Sequence, residues 1–152
     1  MLKSVFLDTC IFFECIEDSR KKTIISHAIH LGFSLVTSIT VMGEAVDQMR
    51  KRPVRSELIL SFINLYEEWN VATLYPDQVV ARICNCMANR EIDFRVEKTD
   101  RVHIGYAMSN GCTYFLTSDK NLIKYRVPKL LEDAGFFKPE TLTLEEFTEY
   151  LN

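Results

Sequence analysis

Four short runs of apolar, β-branched and aromatic residues, each followed by a helix-forming stretch, restrict the architectures open to this chain. The runs fall at residues 1–8, 33–37, 71–75 and 114–117. The first has a continuous apolar core, and the others are short and rich in the same residue types, which is the pattern of strands covered on both faces. Between them, a helix is expected from about residue 17 to 31, ended by Gly32, and another from Ser38 as N-cap to Arg52, stopped by Pro53. Further helices are expected over 55–69, from Pro76 or Asp77 to about 89, and over 100–110 with Gly111 behind it. Residues 91–98 read as a polar connection, helix formers come after Asp119, and a Thr143…Glu146 capping pattern opens a last helix to 151. The fold class is therefore α/β, with three α/β/α layers around a central parallel sheet of four to five short strands.

With 152 residues and no Pro/Gly/Ser-rich linker or internal repeat, the chain reads as a single domain, 1–152, able to bury about 70% of its unfolded surface. No apolar run approaches the ~18 residues that span a bilayer, and residues 1–15 lack a signal-peptide pattern, so a cytoplasmic location is expected. The five cysteines (Cys10, Cys15, Cys84, Cys86, Cys112) lack zinc-ligand spacing and read as buried free thiols. A net charge of −3 does not announce a nucleic-acid binder, nor does it exclude one.

Acidic residues stand where strands hand over to helices. Asp8 ends the first run, Glu44 lies six residues after Ser38, and Asp100 and Asp119 each open a predicted helix. In an open α/β fold the site lies beyond the carboxyl ends of the strands, and Asp8 and Asp119 fall at that edge. Each acid also has an ordinary reading. Asp8 turns the chain and caps the next segment; Thr99 or Asp100 simply starts a helix; Asn121, like Asp119, suits a turn. Glu44 lies opposite the stripe of Met42, Ala45, Val46 and Met49, as a solvated helix-face residue would. Asp100, by contrast, shares a face with Ile104 and Ala107 and should point inward. His103, one turn on, reads as a packed or surface imidazole.

The order and spacing of these residues resembles the PIN domain family of metal-dependent ribonucleases, and its small VapC-type toxins. The similarity rests on a strand ending Asp8-Thr9, Ser38 with Glu44, Asp100 followed by Ala107, and Thr117-Ser118-Asp119 with Asn121. It extends to the tail 141–147, similar to the family's last strand and helix. Cys10 departs from the small polar residue common there.

The resemblance implies that Asp8, Glu44, Asp100 and Asp119 are catalytic and hold one or two Mg²⁺ or Mn²⁺ ions, with Thr9, Ser38, Ser118 and Asn121 supporting them. It implies an endoribonuclease acting on single-stranded RNA, with an antitoxin and a homodimer as further partners. From residue types alone, gathered carboxylates imply a hard-cation site and no more. Arg50, Lys51, Arg52 and Arg55 offer an RNA-backbone contact, or merely neutralise the end of their helix, and Arg20-Lys21-Lys22 form a second basic group. Two rival functions are a catalytically idle RNA- or protein-binding domain of the same fold and a Mg²⁺-dependent phosphatase of the haloacid dehalogenase class. The latter needs a second acid where this chain has Cys10.

Overall fold

Among the described residues, five parallel strands form the centre: β1 (Ser4–Leu7), β2 (Ser34–Ser38), β3 (Ala72–Leu74), β4 (Tyr114–Leu116) and β5 (Glu140–Leu142). They lie in the order β3-β2-β1-β4-β5 in this computed structural model, which describes residues 3–90 and 96–152. Residues 1–2 of the expected first strand, and 91–95 of the expected polar connection, lie outside the described residues. Helices cover the sheet in an α/β/α arrangement: α1 (Thr9–Glu17), α2 (Ser19–His30), α3 (Ile39–Arg50), α4 (Arg55–Glu68) and α5 (Gln78–Arg90). After these come α6 (Lys98–Ser109), α7 (Lys120–Lys124), α8 (Lys129–Asp133) and α9 (Leu144–Phe147), the last running into a 3₁₀ turn at Thr148–Leu151.

The continuous apolar character of β1 is explained by its position as the central strand. Val5, Phe6 and Leu7 are all 0% exposed, and Phe6 stacks on Phe115 of β4 at 4.9 Å. From β1 the chain winds outward through β2 to β3, then returns to the other side of β1 as β4. Strand order therefore reverses between β1 and β4, and a crevice opens beyond their carboxyl ends. Register fixes what meets there. Leu7 pairs with Leu116, so Asp8 and Thr117 leave the sheet side by side.

Several expected boundaries are corrected. The sequence predicts a helix only from about residue 17, yet α1 starts directly after Asp8. Its residues Ile11, Phe12, Phe13 and Cys15 are all buried, which leaves only a narrow outer face of Cys10, Glu14 and Glu17 to carry the helical period. Asp18, accepting from the Arg20 amide, separates α1 from α2 without any glycine or proline. Helix α3 ends at Arg50 rather than Arg52. Helix α6 begins at Lys98 with Glu97 at its N-cap, which makes Asp100 its third residue rather than its opener. Ser38 does cap α3, the Thr143–Glu146 capping box is formed, and Gly32 and Gly111 come after their helices at φ 85° and 60°.

Helix α6 comes close to α5 because Gly105 lacks a side chain; a Cβ there would lie 2.6 Å from Cys84 Sγ. No helix among the described residues is long and apolar enough to cross a membrane. All five cysteines are free, with Cys15 and Cys112 buried and the other three half-buried.

Candidate functional site

Asp8 does two things at the tip of β1. Its Oδ1 accepts from the Thr9 amide at 2.8 Å, capping α1, and its Oδ2 accepts from the Thr117 hydroxyl at 2.7 Å. Burial alone would raise its pKa. That is outweighed by the neighbouring His103 imidazole, the Thr117 hydroxyl and the Thr9 amide, so the carboxyl sits below its usual range. Cys10 Sγ points at the same Oδ2 from 3.6 Å. Burial, and then the charge of Asp8, push this thiol up to about 11, so it stands beside the carboxylate as a neutral donor.

Glu44 leans from α3 toward the same point. Its Oε2 accepts from the Thr9 hydroxyl at 2.8 Å and its Oε1 from Gln48 Nε2 at 3.1 Å. The expected apolar stripe on α3 is shifted: Val41, Ala45 and Met49 are buried whereas Val46 is 38% exposed, which brings half-buried Glu44 to the edge of the inward face.

His103 belongs to this group as well. It is 0% exposed, with Nδ1 3.3 Å from Asp8 Oδ1 and Nε2 3.7 Å from Glu44 Oε2. One ligating atom each from Asp8, Glu44 and His103 fall within 4.8 Å of one another.

Asp100 and Asp119 complete the acidic wall. Asp119 leaves β4 through Thr117-Ser118 and caps α7, its Oδ1 accepting from the Asn121 amide at 2.8 Å. Asp100 stands in the first turn of α6, half-buried. Burial, then Asp8, with smaller contributions from Asp119 and Glu44 against an opposing one from His103, push its carboxyl up to about 6. All four acids line one cleft of about 390 Å³. An oxygen-rich wall in which burial and the charges of its neighbours raise the proton affinity of Asp100 fits a hard divalent cation.

Thr9, Ser118 and Arg52 also line this cleft. Ser38 does not: it is fully buried, its hydroxyl accepting from the Val41 amide at 3.1 Å. Asn121, Arg50, Lys51 and Arg55 stand outside the lining too, and Lys51 is paired with Asp47 at 2.6 Å. The other basic group is engaged throughout: Arg20 with Asp18, Lys21 with Glu14 and Glu145, Lys22 with Glu68. Sequence reasoning passed over Thr117 and the placement of His103. The available signals were the two-residue offset of Thr117 from Asp119 and the one-turn offset of His103 on the inward face of α6.

A family model described as PIN domain matches residues 5–128. Among curated proteins, none matches the chain. Solved structures with the same fold include VapBC2 from Rickettsia felis bound to a DNA fragment from their promoter, at 10% identity and a TM-score of 0.69, covering 92% of this chain and 98% of that one. VapBC-1 from nontypeable Haemophilus influenzae is 18% identical with a TM-score of 0.68, covering 93% and 98%. Mycobacterium tuberculosis VapC20, a sarcin-ricin loop cleaving toxin, is 13% identical with a TM-score of 0.60, covering 88% and 97%. Identities this low speak to fold; the family model, spanning most of the sequence and all four cleft acids, shows that the chain belongs to the PIN domain family.

Proposed function

We propose that this chain is a single-domain, metal-dependent endoribonuclease that hydrolyses phosphodiester bonds of single-stranded RNA, acting as the toxin of a toxin–antitoxin pair. The observation that carries this reading is the convergence of Asp8, Glu44, Asp100 and Asp119 on one open cleft at the strand-order reversal. The toxin arm is supported by the VapBC and VapC neighbours, one of them named as a cleaver of the sarcin-ricin loop. An antitoxin partner, a homodimer and a cytoplasmic location belong to the same proposal, and the five free thiols suit a reducing compartment.

Asp8, Glu44, Asp100 and Asp119 would hold Mg²⁺ or Mn²⁺. When bound, such an ion supplies charge stabilisation for the phosphodiester and acidifies water. The chain's own residues provide the order. Thr117 and the Thr9 amide keep Asp8 ionised and aimed, and the Thr9 hydroxyl and Gln48 fix the Glu44 carboxylate. Asp119 is held by its role as a helix cap. Pre-set ligands of this kind need little reorganisation on loading.

The test is cleavage of a single-stranded RNA by purified protein, with EDTA and after Mg²⁺ or Mn²⁺ is restored. Cleavage should stop with chelator and return with metal. Hydrolysis of a phosphomonoester but not RNA would favour the phosphatase reading, and binding without cleavage the idle one.

Arg52 is the member of the 50–55 basic group that lines the cleft. Its guanidinium lies 4.5 Å from the Phe13 ring centre and pairs with exposed Glu17 at 3.2 Å. Arg52→Ala should weaken RNA binding and reduce the slope of log affinity against log salt by about one phosphate contact. Arg55→Ala, outside the lining, should leave both nearly unchanged. Fluorescence anisotropy across a salt series reads the difference; equal effects of the two variants would remove Arg52 from the RNA path.

A further inference from the structure

We propose that His103 is itself a metal ligand, so that the site carries a mixed nitrogen and oxygen donor set and prefers Mn²⁺ to Mg²⁺. This rests on the metal-dependent reading above and adds to it a nitrogen donor that a four-carboxylate set does not contain.

The imidazole of His103 is 0% exposed, and neither ring nitrogen makes a hydrogen bond. Both nitrogens nevertheless face carboxylate oxygens, Nδ1 toward Asp8 at 3.3 Å and Nε2 toward Glu44 at 3.7 Å. A neutral imidazole has one N–H and one lone pair. In the neutral ring, whichever tautomer forms, one nitrogen therefore turns its lone pair on a carboxylate oxygen; a proton on that nitrogen or a metal ion between the two relieves the repulsion.

The carboxylates cannot turn away to resolve this. Asp8 is tied by Thr9 and Thr117, and Glu44 by Thr9 and Gln48. A divalent ion between the lone pair and the oxygens converts the repulsion into coordination.

The spacing suits it. Adjacent ligands about 2.1 Å from an octahedral ion are roughly 3 Å apart, and the 3.3 Å between Nδ1 and Asp8 is the separation nearer to that. The second nitrogen then donates its N–H to a carboxylate, as metal-bound histidines commonly do, and this fixes the tautomer. Imidazole is a donor for transition ions, and of the two ions proposed for this site only Mn²⁺ is one, so a nitrogen ligand shifts the balance from Mg²⁺ toward Mn²⁺.

The test uses Mn²⁺ alone as probe. The chain has three histidines, and His27 and His30 are exposed on α2 and do not line the cleft. A His27→Gln/His30→Gln double variant leaves His103 as the sole histidine. Grown with ¹⁵N-labelled histidine and loaded with Mn²⁺, it should show coupling of the electron spin to a histidine nitrogen by pulsed electron paramagnetic resonance. In calorimetric titration His103→Gln should bind Mn²⁺ about 10–100-fold more weakly while Mg²⁺ affinity changes much less. Should His103→Gln fail to fold, the spectrum of the double variant still decides. Tight Mn²⁺ binding without nitrogen coupling would overturn the assignment and leave the all-carboxylate site standing; His103 would then be an imidazolium strap between Asp8 and Glu44. Absence of Mn²⁺ binding altogether would overturn both.

Discussion

Asp8→Asn is expected to lower RNA cleavage by roughly 10³-fold or more, equivalent to about 4 kcal/mol of transition-state stabilisation, with little change in the fold. Asp8 is the acid shared by every part of the site. It faces His103, receives Thr117 and Cys10, and adds to the raised proton affinity of Asp100. Asparagine keeps the carbonyl oxygen that accepts from the Thr9 amide and is an equally good helix cap, so α1 keeps its start. What disappears is the charge. Circular dichroism and a thermal melt should match the parent protein while cleavage falls to background. Cleavage that persists in well-folded variant would place the chemistry elsewhere.

Asp100→Asn is expected to act in opposite directions with and without metal. The native carboxyl is raised from 3.8 to about 6, so the folded state binds this proton more tightly than the unfolded chain. In metal-free protein its contribution is therefore favourable below about pH 4, is lost as pH rises toward 6, and remains a penalty at neutral pH. Two units correspond to about 3 kcal/mol at face value; the side chain is partly exposed, and screening brings this to about 1–2 kcal/mol. Asp100 also interacts favourably with the N-terminus of α6, an effect of about 0.3–1 kcal/mol, smaller than the repulsion. At pH 7 in EDTA the variant should thus melt higher than the parent, and its stability should fall less between pH 4 and 6. In Mn²⁺ or Mg²⁺ the order should reverse, because the variant loses much of the ligand-linked stabilisation. Melts in both buffers decide. A variant that melts lower in EDTA and gains as much from metal as the parent would make Asp100 a helix-end residue only.

The layered fold was legible because strands covered on both faces leave uninterrupted apolar runs, as at residues 5–7 and in Tyr114–Leu116. Asp8 and Asp119 were legible for a related reason: a charged residue at the end of such a run marks the sheet edge. Helix α1 was not, since its run of buried residues Ile11, Phe12, Phe13 and Cys15 leaves only Cys10, Glu14 and Glu17 to carry the helical period. Glu44 ran against the local pattern, because the inward face of α3 is set by tertiary packing on Val41, Ala45 and Met49 rather than by the apolar residues counted along the helix. The placement of His103 depends on α6 lying against β1 and α3, a long-range arrangement that its own neighbours do not encode. The basic residues misled most. Charge counted along the chain says nothing of the acids folded against it, and Arg20, Lys21 and Lys22 are each already paired.

Asp8 and Asp119 are helix caps as well as cleft acids, and this has a consequence for how such a gene can decay. Asparagine caps a helix as well as aspartate does, whereas alanine gives up about 1 kcal/mol. With the proposed function, a single-base change that turns either aspartate into asparagine would disarm the protein without unfolding it. If the protein is harmful to its host, selection against the activity has an easy exit that leaves a folded, partner-competent remnant behind. Inactive descendants of this lineage should accordingly carry asparagine at positions 8 and 119 more often than alanine, glycine or valine, which are also one base away. A survey of natural variants would test this, and an even spread among those replacements would refute it.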